Sequence, residues 1–244
     1  MQPQFPPLTP TVRTLLVVLV VFFLGQTAAE GVLGIPLASW AALWPGVHIE
    51  LAWQWATYWL VALVQRPEDI FWHAVSLFVL YWSLSQFERE HGRTRLLGLM
   101  AAGVIGGALP TMIAGALLPD LFGVAAGPSV LFYAWLGAFA VLQRGAKIGL
   151  WVVALPAVSA WTMVGAMIVL SALQAAWTHN FSGLVLSLGA IGGGVVFARI
   201  VSRSAQSAKA SGGPPKKRAG RPNLKVIEGG GAGSSDDDKP RWLN

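Results

Sequence analysis

Residues Leu96–Leu118 read LLGLMAAGVIGGALPTMIAGALL, 23 positions without a single charged side chain. About 20 apolar residues in a helix cross the roughly 30 Å of hydrocarbon in a bilayer. This stretch is therefore read as a membrane span. Working outward, five further apolar blocks meet or approach that length: about Thr14–Ala29, Phe71–Phe87, Gly127–Leu142, Ile148–Ala176 and Gly183–Val201. The block after Arg13 has no small-residue cleavage site followed by a soluble domain, so it reads as a retained helix and not a signal peptide. The expected fold is an all-α integral membrane protein with six transmembrane helices.

Composition agrees. Apolar residues make up 55% of the 244-residue chain and charged residues only 11%, against about 25% charge in soluble domains. The mean hydropathy is +0.58. With no cysteine, disulfides and thiolate metal sites are excluded. The net charge of +6 could suggest nucleic acid. Its distribution argues otherwise, because nine of the 17 basic residues follow position 202 and the rest lie between apolar blocks. That is the positive-inside pattern of a membrane protein, and no nucleic-acid partner is expected.

The same pattern sets an orientation. With the N-terminus in the cytoplasm, Arg13, Arg89, Arg93, Arg95, Arg144, Lys147, Arg199 and Arg203 fall inside, and only Arg66 falls outside. The outer segments carry Glu30, Glu50, Glu68, Asp69 and Asp120. Both termini are thus expected in the cytoplasm, residues 1–13 at one end and a tail, 204–244, at the other. The tail is rich in Gly, Ser and Pro, and it reads as disordered. Its Lys216-Lys217-Arg218 cluster suits a topogenic role or contact with anionic lipid. The composition is compatible with the plasma (inner) membrane of a bacterium.

The outer loop, residues 30–70, holds Trp40, Trp44, Trp53, Trp55 and Trp59. Tryptophan favours the headgroup layer, so two short interfacial helices are expected there, with a dip of Leu51–Val64 into the bilayer as the alternative. Ionisable residues inside spans would mark a channel or transporter, and these spans are almost free of them.

Several motifs occur in a telling order. Trp53-Gln54-Trp55-Ala56-Thr57-Tyr58 precedes the second span, and Glu88-Arg89-Glu90-His91-Gly92 ends it. Gly127-Pro128-Ser129-Val130 opens the fourth span, which continues to Gly137-Ala138. Ser187-Leu188-Gly189-Ala190-Ile191-Gly192-Gly193-Gly194 lies in the sixth. Over residues 14–203 the chain resembles the rhomboid family of intramembrane serine proteases (peptidase S54-like).

The resemblance implies a six-helix bundle in which Ser129 is the nucleophile and a sixth-span histidine its base. A serine hydroxyl needs such a base to become reactive. Here Ser187 stands at the histidine position. His179 is the nearest histidine in sequence, eight residues earlier, about 12 Å along a helix, whereas a base must come within about 3 Å. The oxyanion donors of the family correspond to a His and an Asn in span two. His73 and Ser76 are the residues available, each with an ordinary interfacial role as the alternative. Gly127, Gly189 and Gly193 suit close helix packing. Val130 replaces the family glycine, and Pro128 has no N–H to give. Ser129 could also serve simply as a helix cap. Two readings follow: a pseudoprotease that binds transmembrane client helices, and an active endopeptidase with Ser129 and a displaced histidine. Neither implies a cofactor or metal.

Overall fold

The structure is a computed structural model that describes residues 6–45, 53–64, 67–143, 147–148 and 158–211. Compact packing divides the chain into Met1–Gln206 and Ser207–Asn244. Of the second unit, only the end of the last helix is described.

The first unit is built of helices. α1 (Pro10–Leu33) starts with proline, whose missing N–H costs nothing there. It ends at Gly34 with φ 66°, where the N–H turns back to the Ala29 carbonyl. Two short helices follow before the next long one, α2 (Leu37–Ala41) and α3 (Gln54–Thr57). α4 (Pro67–His91) and α5 (Arg93–Leu117) are joined by Gly92 alone, whose φ of 85° makes the reversal possible. A 3-10 turn, Pro119–Leu121, leads toward α6 (Ser129–Leu142). β1 (Lys147–Ile148) pairs antiparallel with β2 (Val158–Ser159). α7 (Ala160–Thr178) and α8 (Ser182–Ser211) complete the order.

Among the described residues, five helices are long and apolar enough to cross a membrane: α1, α4, α5, α7 and α8 over Ser182–Ser204. α6 has the strongest apolar character but only 14 residues. At 1.5 Å per residue it spans about 21 Å, about 9 Å short of a hydrocarbon layer. It is also the centre of the packing. Val130, Leu131, Ala134, Trp135, Leu136, Ala138 and Ala140 are buried against α4, α5, α7 and α8.

Two features differ from the sequence expectation. The fifth span, expected from Ile148, falls in part on residues 149–157, which lie outside the described residues; α7 itself begins at Ala160, where the hydroxyl of Ser159 accepts the Thr162 N–H and caps the helix. Six spans were expected, and among the described residues five helices reach membrane length while the sixth candidate, α6, does not. Between α1 and α4 the described residues include α2 and α3, and residues 61–64 of the alternative dip are not helical. α8 runs to Ser211, and the rest of the tail, including Lys216-Lys217-Arg218, lies outside the described residues, as do Glu50, Arg66 and Arg144.

Small residues let α8 approach its neighbours. A methyl group on Gly189 or Gly193 would strike the carbonyl oxygens of Gly106 and Ala102 on α5. One on Gly194 would strike that of Ala134 on α6, and one on Gly137 would strike that of Ile191 on α8. α8 is thus wedged between α5 and α6 at backbone contact.

Candidate functional site

The segment before α6 is irregular backbone whose polar groups need partners. The partners come from the outer loop and the start of α8. Leu43 and Ala125 exchange both N–H···O bonds at 2.9 Å. The Gly127 N–H donates to the Tyr58 carbonyl at 3.0 Å. The Gly123 N–H donates to Asn180 Oδ1, and Ser182 Oγ donates to the Gly123 carbonyl. Gly127 has φ 123°, a conformation that side chains resist.

The Trp53–Tyr58 motif is the clamp that holds this arrangement. The buried Gln54 accepts the Trp44 N–H and donates to the Trp40 carbonyl. Thr57 donates to the Ala41 carbonyl at 2.9 Å. Tyr58 is fully buried and donates through its hydroxyl to the Val104 carbonyl on α5 at 2.8 Å. Burial pushes its phenol pKa well above the ordinary value, so it stays a protonated donor. Further support comes from Gln26, buried in α1, whose amide both accepts from and donates to the backbone of Ala62. A lone glutamine in an apolar run was the sequence signal for this contact.

At the other end of the bundle, Glu88 of α4 accepts the hydroxyls of Thr9 and Thr11. The carboxylate sits at the N-terminus of α1, where helix N–H groups and the helix dipole favour negative charge. The Glu88-to-Gly92 motif is therefore a helix-terminus clamp followed by a one-residue turn.

Ser129 is the first residue of α6, half-buried, and Pro128 occupies the cap position. Among the described residues its hydroxyl makes no hydrogen bond, and it caps no N–H of α6. Val130 beside it is fully buried. Its Cγ2, the Leu186 carbonyl and the Tyr58 hydroxyl crowd the space over Gly107, lying 2.9, 3.2 and 3.2 Å from where a Gly107 methyl would stand. The junction of α5, α6 and α8 just below Ser129 is thus filled.

The other sequence-derived residues are not brought to Ser129 by any hydrogen bond. Ser187 is buried on α8 with its hydroxyl turned back to the Leu184 carbonyl at 2.8 Å. His179 is exposed in the left-handed turn that ends α7. Ser76 donates to the Trp72 carbonyl of its own helix. His73 stacks on Phe23 of α1, ring centroids 4.6 Å apart. Trp82, which meets Trp135 of α6, is nine residues on, two and a half turns, so His73 projects from the opposite side of α4. Gly189 and Gly193 lie against α5, and the contact of α8 with α6 falls to Gly194 and Gly137.

An all-helical bundle with five membrane-length helices, folded round a short sixth that opens on a glycine–proline–serine turn, defines a polytopic membrane protein. A family model described as Rhomboid domain matches residues 69–204, more than half of the chain. The chain belongs to the rhomboid family. No curated protein matches it.

Proposed function

We propose that this rhomboid-family protein is a six-span pseudoprotease that binds transmembrane client helices without cutting them. The observation that carries the reading is the pairing of an unpartnered Ser129 hydroxyl with Ser187, whose own hydroxyl is committed to the Leu184 carbonyl. A nucleophilic serine needs a base within hydrogen-bond reach. The packing of Val130 and Tyr58 over Gly107 supports it further, since it occupies the junction where a base on α8 would approach α6. We take α6 as the sixth span, crossing a locally thinned layer or ending on recessed loops. The basic residues favour both termini in the cytoplasm of a bacterial cell, with the protein in its plasma membrane.

An active endopeptidase, with Ser129 as nucleophile and a displaced His179 or His73, is the second reading. The half-buried, unengaged Ser129 hydroxyl favours it. The test is cleavage of a generic rhomboid transmembrane substrate by purified protein, with Ser129→Ala beside it. No cleavage by either form is the expected result. Cleavage abolished by Ser129→Ala would overturn the pseudoprotease reading.

A further inference from the structure

A cavity of about 610 Å³ opens at the C-terminal end of α1, lined by Glu30, Gly34, Ile35, Leu63, Val124 and Asn180 among others. That volume suits a small ligand or a lipid headgroup with the start of its chains. Its walls are mostly apolar, but three polar features lie on it or beside it.

The first is Glu30. Its Oε1 accepts the Ala38 N–H, and its other oxygen has no partner among the described residues. The second is the end of α1 itself. The N–H groups of Gly34 and Ile35 both return to the Ala29 carbonyl, residue 36 is a proline, and the Leu37 N–H goes to Ile35. Among the described residues these N–H groups leave the last carbonyls of α1 without a backbone donor, and of the residues 30–33 that carry them Glu30 lines the cavity. The third is Asn180, whose Oδ1 is used twice, by Gly123 and Ser182, leaving its amide N–H₂ as a donor on the cavity wall.

The free carboxylate oxygen of Glu30, beside the negative end of α1, calls for a cation that carries N–H groups. The Asn180 amide calls for an acceptor oxygen nearby, and the Ile35, Leu63 and Val124 side chains call for hydrocarbon. We propose that this cavity binds an amphiphile with a primary ammonium headgroup, the chemistry of an ethanolamine phospholipid. A quaternary ammonium has the charge but no N–H to donate, so it satisfies these acceptors less well.

The test is native mass spectrometry of the full-length protein released from detergent after exposure to dioleoyl lipids. Ethanolamine, choline and glycerol headgroups would be offered at equal concentration. The ethanolamine lipid should be retained about fivefold over the choline lipid, as expected for charge-assisted hydrogen bonds to an exposed-rim carboxylate. Glu30→Gln should remove that preference while leaving the fold intact, because its amide oxygen still accepts the Ala38 N–H. Leu63→Trp, which fills the cavity, should lower retention of the ethanolamine lipid with Glu30 unchanged. Equal retention of ethanolamine and choline lipids by the wild-type protein would overturn the proposal, as would a preference that survives Glu30→Gln. Competition by water-soluble glycerophosphoethanolamine at the same concentration would overturn the lipid assignment and place the free headgroup, or a lysine side chain, in its stead.

Discussion

Gly194 of α8 lies directly on the backbone of Ala134 of α6, with no room for a methyl group between them. A clash with a backbone carbonyl cannot be relieved by turning a side chain. Gly194→Ala should therefore destabilise the bundle by about 1–3 kcal/mol, the usual cost of overpacking a close contact. Gly192→Ala is the control, since a methyl there meets nothing within 4 Å and alanine favours helix. A thermal-unfolding series in detergent should separate the two, with Gly194→Ala melting lower and Gly192→Ala unchanged or slightly higher.

Tyr58 joins three parts of the molecule: its hydroxyl reaches Val104 on α5, its carbonyl receives Gly127, and its ring fills space beside Val130. Tyr58→Phe removes only the first. The Val104 carbonyl keeps its place in α5, so the loss should be modest, about 1 kcal/mol. Tyr58→Ala also empties a core position and should cost about 3–5 kcal/mol, by analogy with other large aromatic truncations. Protease sensitivity of the outer loop should rise sharply in Tyr58→Ala and little in Tyr58→Phe.

Glu88 binds two threonine hydroxyls at the start of α1. Glutamine in its place offers one acceptor oxygen and removes the negative charge facing the helix N-terminus. Glu88→Gln should lose about 1–2 kcal/mol. Glu90→Gln tests a more exposed carboxylate, one held by Gln86 and Gln143, and should change the unfolding temperature less. If the two variants unfold alike, the threonine clamp contributes little.

These contacts mark where sequence reading reached and where it stopped. The spans were legible because each is a long uncharged run, and the run at α5 is unambiguous. The start of α7 was not, because the run from Ile148 carries no charge up to the helix, and hydropathy does not report hydrogen bonding. The marker was Ser159, which caps it. At the candidate site, motif order pointed to Ser129 and Ser187 through the family resemblance. The side of α4 on which His73 projects could not, because it depends on which neighbours surround that helix. Likewise, Gly189 and Gly193 announced a close approach without saying that α5 would be the partner.

The absence of native cysteine makes the orientation directly testable. Ser39→Cys places a thiol beside the outer-loop helix α2, and Ser204→Cys places one on the exposed end of α8. In intact cells a membrane-impermeant maleimide should label Ser39→Cys and spare Ser204→Cys until the membrane is opened. The reverse pattern would invert the topology drawn from the basic residues.

The strongest test of the site is restoration. If Ser187 stands where a base is needed, histidine there supplies the missing group, but Val130 and Tyr58 still fill the space over Gly107. Ser187→His alone should therefore remain inactive, and it should lower stability, because a large ring enters a position that is now 1% exposed. Val130→Gly alone removes the branched side chain but supplies no base, and it too should remain inactive. Only the combination opens the junction and provides a proton acceptor. It should give slow, Ser129-dependent cleavage of a transmembrane substrate, measured against the same double variant carrying Ser129→Ala. General-base assistance contributes roughly 10²–10⁴-fold, so even a poorly aligned histidine should lift the rate above background. A folded double variant with no Ser129-dependent cleavage would show that the loss of chemistry extends beyond positions 130 and 187.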